Sequence, residues 1–127
     1  MKYLQDYVED KQTQLFRETG SFFAFSNEQF AEQYNKDKKY VAMGCGLYTE
    51  KEHVKKLING LYEINKDGIK QDIEENGIER IVLRELGNYE AFYTYDIEDT
   101  LDALKDYGVN RKYVMSVFHK YRKEYTE

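Results

Sequence analysis

The sequence contains no proline and no tryptophan, a single cysteine and only two histidines among its 127 residues. One thiol, Cys45, excludes an internal disulfide, and Cys45, His53 and His119 share no local ligand spacing, so no structural metal is expected. No stretch alternates carboxylate oxygens around a central glycine as a calcium loop does. Phosphate loops are absent too, and Gly44 and Gly46 around Cys45 lack the third glycine of a dinucleotide fingerprint, so no cofactor is expected. No apolar run approaches the length of a membrane span or of a signal-peptide core, which points to a reducing cytoplasm and no membrane partner. Repeats, low-complexity tracts and linkers are missing as well, so one domain over residues 1–127 is expected.

What the chain does carry is tyrosine: thirteen Tyr and seven Phe, 16% of the residues. They bunch in Phe22-Phe23-Ala24-Phe25 and in the run Tyr89-Glu90-Ala91-Phe92-Tyr93-Thr94-Tyr95. A phenol has a large apolar body and a polar tip, so a tyrosine can close a small core and still present a hydrogen-bonding group outside. Charged residues make up 34% of the chain. The aromatics supply the apolar area that an ordered fold then needs.

Charge is segregated. Residues 1–71 hold eleven acids and eleven Lys or Arg and balance to zero. Residues 72–102 hold ten acids against Arg80 and Arg84, for −8, whereas residues 111–127 carry five basic side chains against Glu124 and Glu127, for +3. Such a dipolar surface can steer a charged partner or join acidic and basic faces of two copies. It can also do no more than complement helix dipoles.

Local patterns place the elements. Leu4, Val8, Leu15 and Phe16 predict a helix over 2–18 stopped by Gly20. Phe22–Phe25 reads as a short strand, and Ser26 with Gln29 as a capping box for a helix bearing Phe30 and Tyr34. Tyr40–Tyr48 looks extended, with Gly44 and Gly46 marking a bulge or bend. Thr49 with Glu52 predicts a second capping box ahead of a long helix through Leu57, Leu61 and Ile64, with a break near Asp67-Gly68. Gly77 ends it. Ile78–Leu86 is rich in branched residues and, with Gly87-Asn88 and Tyr89–Tyr95, predicts a β-hairpin. Asp96 and Asn110 then cap two closing helices, with Gly108 between them. The expected fold is α+β, an antiparallel or mixed sheet of about four strands with helices packed on it, in the order α-β-α-β-α-β-β-α-α.

Candidate chemistry is sparse. Cys45 in a Gly-Cys-Gly turn has the makings of an activated thiol if His53 or His119 serves as its base. A free cysteine behaves otherwise as a small hydrophobe, and packing in the core is the expected role. No catalytic residue is therefore assigned. Tyrosine walls also suit a pocket that sequesters a nucleotide or another small ligand. The basic closing helix, with Arg111, Lys112, Lys120, Arg122, Lys123 and Tyr113, has groups that hold a phosphate backbone, but the acidic chain argues against direct nucleic-acid binding.

The reverse arrangement is more informative. Glu85, Glu90, Glu98, Asp99 and Asp102 fall beside Tyr89, Tyr93 and Tyr95. On a surface these carboxylates would imitate the charge of nucleic acid and occupy the basic groove of a nucleic-acid-handling protein, with the tyrosines as anchors. These eight are the candidate partner-binding residues. The alternative is an ordinary solvated face.

The stretch Phe16-Arg17-Glu18-Thr19-Gly20-Ser21-Phe22-Phe23-Ala24-Phe25-Ser26-Asn27-Glu28-Gln29-Phe30, with Gly44-Cys45-Gly46-Leu47-Tyr48 and Tyr93-Thr94-Tyr95-Asp96, resembles short proteins encoded by phages and other bacterial mobile elements. Some proteins in that setting are anti-CRISPR or other anti-defence inhibitors. The resemblance covers most of the chain and carries over no functional residue. It implies a non-enzymatic inhibitor of a host defence effector, acting in the host cytoplasm.

Overall fold

In the computed structural model, residues 1–126 are described. The order of elements is α1 (Leu4–Glu18), β1 (Phe22–Phe23), α2 (Asn27–Gln33), β2 (Tyr40–Gly44), β3 (Leu47–Glu50), α3 (Val54–Asn76), α4 (Ile78–Asn88), α5 (Ala91–Thr94), α6 (Glu98–Ala103) and α7 (Arg111–Thr126), with short 3-10 turns at Lys51–His53 and Lys105–Tyr107. The α+β class is as expected. The sheet has three strands, in the order β1-β3-β2, and every pairing in it is antiparallel. The chain divides into two compact units, Leu4–Gly68 and a second made of Met1–Tyr3 with the residues from Ile69 onward. No helix among the described residues is long and apolar enough to cross a membrane.

The sheet belongs to the first unit. β2 and β3 form a hairpin whose two-residue loop is Cys45-Gly46, with φ of 54° and 81°. Positive φ at both loop residues is what a type I′ turn needs, and it matches the twist of the flanking strands. One extended segment over Tyr40–Tyr48 therefore becomes two strands, with a register shift between Ala42 and Gly44. On one side Phe22 meets Phe30, Tyr40 and Tyr48 at ring separations of 5.5, 5.3 and 5.8 Å. Thr49 is not a helix cap but a buried strand residue, in a hydroxyl chain that runs through Ser21 (2.9 Å) to Thr19 (2.7 Å) and on to the Leu15 carbonyl (2.8 Å). That chain ties the end of α1 to the sheet.

α3 runs unbroken past Gly68. Its glycines are there for close approach: a Cβ on Gly60 would overlap Leu15, and one on Gly68 would overlap Val8, both from α1. The helix loses about 1 kcal/mol at each glycine relative to Ala and regains it in packing against α1. Ser26 accepts from the Gln29 amide at 3.1 Å, as a capping box requires, while the Gln29 side chain reaches back to the Phe25 amide at 2.7 Å.

The predicted hairpin over 78–95 is overturned, and with it the four-strand count and the predicted order. Residues Ile78–Asn88 and Ala91–Thr94 are helical. Ile81, Val82, Glu85 and Leu86 are buried at helical spacing along one face. That period outweighs the strand preference of branched side chains, because burial of a continuous stripe is worth more than intrinsic propensity. Around this stripe the second unit packs Phe92, Ile97, Leu104, Val114, Val117 and Phe118, each at most 5% exposed. Phe92 and Phe118 stack at 5.2 Å. Asn110 caps α7 through its side chain to the Tyr113 amide at 2.8 Å, whereas Asp96 is not the cap of α6: Ile97 holds that position, and Asp96, two residues ahead of the helix, accepts from the Glu98 amide at 2.9 Å.

Candidate functional site

Between α4 and α6 the backbone is forced. Glu90 and Tyr95 adopt left-handed conformations, with φ of 55° and 60°, and bracket the single turn α5. For a residue with a Cβ this region costs roughly 1–2 kcal/mol. The turn survives because Ala91 and Phe92, 0% and 2% exposed, lock it into the core. With those two inside, the next residues point out: Tyr93 is 78% exposed and Tyr95 66%, and Tyr89 is exposed as well. Tyr95 keeps an edge contact to Phe118 at 6.0 Å, so one edge of the ring is anchored while most of the side chain is exposed.

The acids follow on α6. Ile97 and Thr100 are buried, which leaves Glu98, Asp99 and Asp102 on the outer face, and Glu90 is exposed beside Tyr89. Seven of the eight candidate residues thus lie on the surface of one stretch of chain. Glu85 does not: it is buried, and its carboxylate accepts from Arg84 Nε at 2.8 Å. Glu98 also pairs with Arg111 at 2.8 Å, but both side chains are 60% exposed, so the pair is weak and separable. Lys120 donates to Glu79 at 2.7 Å. Each bond raises the pKa of its basic partner, first by hydrogen bonding and then by charge. Part of the charge separation between residues 72–102 and α7 is therefore met inside this unit.

Sequence reasoning missed the buried knot beneath. Asp72, fully buried, accepts from Arg84 Nη1 and Nη2 at 3.0 Å each, from the Tyr107 hydroxyl at 2.6 Å and from Asn76 at 2.8 Å. Arg84 also donates to the Lys2 carbonyl at 2.9 Å, and its guanidinium lies 5.5 Å from the centre of the Tyr3 ring. Burial by itself would raise the Asp72 carboxyl, but the bonds from Arg84, Tyr107 and Asn76 outweigh it and hold the group below its ordinary range. Burial, then the bond to Asp72, pushes the Tyr107 phenol up. Arg84 would be lowered by burial and is raised instead by Asp72 and Glu85. None of these three shifts brings a group toward neutral pH, so the knot locks structure and is not poised to move protons. Its one sequence signal is a lone pair of arginines, Arg80 and Arg84, inside ten acids.

The thiol reading receives no geometric support. Cys45 is exposed at the hairpin tip, not packed in the core, and among the described residues no hydrogen bond joins it to His53 or His119. His53 stands instead beside Glu50 and Glu52. Two clefts bear on the ligand reading. One of about 490 Å³ is walled by Phe25, Phe30 and Tyr48 and has no basic residue; one of about 590 Å³ is lined by Tyr3, Arg80, Arg84, Asn88 and Glu90.

No curated protein and no solved structure matches this chain. Residues 4–126, nearly the whole sequence, match one protein family, described as a family of unknown function (DUF7659). The chain is a member of that family.

Proposed function

We propose that this protein is a non-enzymatic binding module that blocks a partner through the surface Tyr89–Asp102. The observation that carries the reading is the strained pair Glu90 and Tyr95, which holds two tyrosines out in solvent among carboxylates. Glycine at either position would relieve the strain, so the present residues cost stability and are explained if the display itself is used. Tyrosine offers contact area with few rotatable bonds, which makes it an economical anchor. The exposed acids Glu90, Glu98, Asp99 and Asp102 suit a basic groove and would speed encounter with it. The partner is then a protein that handles nucleic acid, and the likeness to phage and mobile-element proteins directs the search to host defence effectors, CRISPR nucleases included.

The test is capture from host lysate followed by reconstitution with the purified partner. Wild-type bait retains a nucleic-acid-binding protein that added DNA displaces. Tyr93→Ser with Tyr95→Ser, and separately Glu98→Lys with Asp99→Lys, each weaken capture by at least about ten-fold. If both double variants, folded by circular dichroism, capture the partner as the wild type does, this surface is not the docking site.

A second reading has one observation in its favour, the cleft of about 590 Å³ where Tyr3 and two arginines stand together. That combination suits an anionic aromatic ligand such as a nucleotide. A rise in thermal midpoint with one of a panel of nucleotides and cyclic nucleotides, lost in Arg80→Ala, would favour sequestration.

A further inference from the structure

In the unit Leu4–Gly68, which contains none of the residues of the surface assigned above, the end of β3 and the turn Lys51–His53 bring three ligand side chains to one point. One carboxylate oxygen each from Glu50 and Glu52 and one ring nitrogen of His53 lie within 4.8 Å of one another. His53 Nε2 is 3.7 Å from Glu50 Oε2 and 3.5 Å from Glu52 Oε1. Both separations are longer than the roughly 2.7–3.2 Å of an N–H···O bond. They lie close to the edge of about 3.3–3.6 Å of a tetrahedron whose ligands sit about 2.0–2.2 Å from a central zinc-like ion, and small side-chain rotations bring all three ligand atoms onto it.

Two further observations bear on the same point. Glu50 is the inner ligand, its side chain 15% exposed, and its carboxylate rests against the α-carbon of Gly20, where any Cβ would overlap it. The stop of α1 is thus shaped to admit this carboxylate. The second is the cation already beside it. The Lys38 ammonium lies 3.4 Å from Glu52 Oε1 and 3.9 Å from Glu50 Oε1, well beyond the roughly 2.7–2.9 Å of a tight charge-assisted bond. A cleft of about 600 Å³, lined by Asp37, Lys38, Lys39, Glu50, Lys51 and Glu52, opens onto the carboxylates, so an ion has a way in and Lys38 has room to leave.

We propose that Glu50, Glu52 and His53 form a binding site for one divalent transition-metal ion of zinc's class. Three protein ligands and one solvent molecule complete the tetrahedron, and Lys38 swings out as the ion enters. An imidazole among the ligands selects against calcium and magnesium, which take all-oxygen shells. The site shares no residue with the docking surface, so the failure of either reading leaves the other standing.

Isothermal titration of the full chain with Zn²⁺ tests this, in a Cys45→Ser background that removes the exposed thiol as a competing ligand. One ion binds per chain; Glu52→Gln and His53→Gln each weaken binding by at least about ten-fold, the loss expected when a ligand or its close support is removed. Lys38→Met tightens it. Glu52 and His53 are 60% and 35% exposed, so their variants fold, and circular dichroism checks that they do. Nitrogen-detected NMR of the imidazoles gives a second readout, in which Zn²⁺ moves the His53 resonances and leaves those of His119 in place. Absence of saturable binding, binding that survives His53→Gln at unchanged affinity, or a response at His119 alone overturns the proposal.

Discussion

Arg84→Met tests the account of the buried knot most directly. The side chains of Arg84 and Asp72 are 5% and 0% exposed, and the guanidinium supplies two of the four hydrogen bonds that the Asp72 carboxylate accepts. Methionine fills a similar volume but leaves the carboxylate buried with Tyr107 and Asn76 alone. Breaking a buried ion pair from one side costs ~3–5 kcal/mol. For a chain of 127 residues that loss lowers the thermal midpoint by roughly 10–20 °C. The pH dependence is a sharper signature than the size. In the wild type the Asp72 carboxyl is held below its ordinary value of 3.8, so its contribution is complete above that value and disappears as pH falls through the depressed one. Without Arg84, burial dominates and raises the carboxyl; stability is then complete below the ordinary value and is lost as pH rises through the raised one. The gap between wild type and Arg84→Met in urea unfolding therefore widens from about pH 4 to about pH 7. Removing charge and donors together, as in Asp72→Leu, Arg84→Met, Glu85→Met, Tyr107→Phe, which also takes out the carboxylate that Arg84 Nε serves, recovers most of the loss. A deficit below about 1 kcal/mol at neutral pH, or one that is flat with pH, would refute the reasoning.

Tyr107→Phe alone removes the 2.6 Å bond to Asp72 and costs ~1.5–3 kcal/mol by urea unfolding. The raised phenol keeps its stabilising effect below its ordinary pKa of 10.0 and loses it as pH climbs toward the raised value, so this variant also flattens the alkaline limb of the stability curve. Glu90→Gly relieves the left-handed strain at φ 55° and raises the unfolding free energy by up to about 1 kcal/mol in urea while weakening partner capture, a trade of activity for stability. A loss of stability instead would show that the carboxylate holds the turn. Gly20→Ala, at φ 62° and against the Glu50 carboxylate, costs at least about 1 kcal/mol and perturbs the His53 resonances in the same NMR experiment. Cys45 reacts with a thiol reagent in the native protein as fast as in the unfolded chain, since it is exposed on the hairpin loop; slow reaction would place it in the core after all.

What could be read from residues alone was whatever rests on neighbours within a turn or two. The helix over Leu4–Glu18 and its stop at Gly20, the Ser26 and Asn110 caps, the bend at Gly44-Cys45-Gly46 and the end of the long helix at Gly77 all follow from local sterics and hydrogen bonding. The outward display of Tyr93 and Tyr95 does not: it depends on a turn that burial of Ala91 and Phe92 holds in place, where local pattern alone predicted a strand. Tertiary structure decided the rest. Ile78–Leu86 carries strand-forming side chains on a helical period, and only a core waiting on one side makes the period win. Glu85 is inside because Arg84 neutralises it, and Asp72 meets Arg84 and Tyr107 across 12 and 35 positions, distances no local pattern encodes. Glu50, Glu52 and His53 are neighbours in sequence, yet their convergence depends on a strand that ends in a 3-10 turn and on a glycine from α1 that makes room for one carboxylate. Short-range physics chose the elements that a few residues can specify; packing chose the ones whose stability comes from elsewhere in the chain.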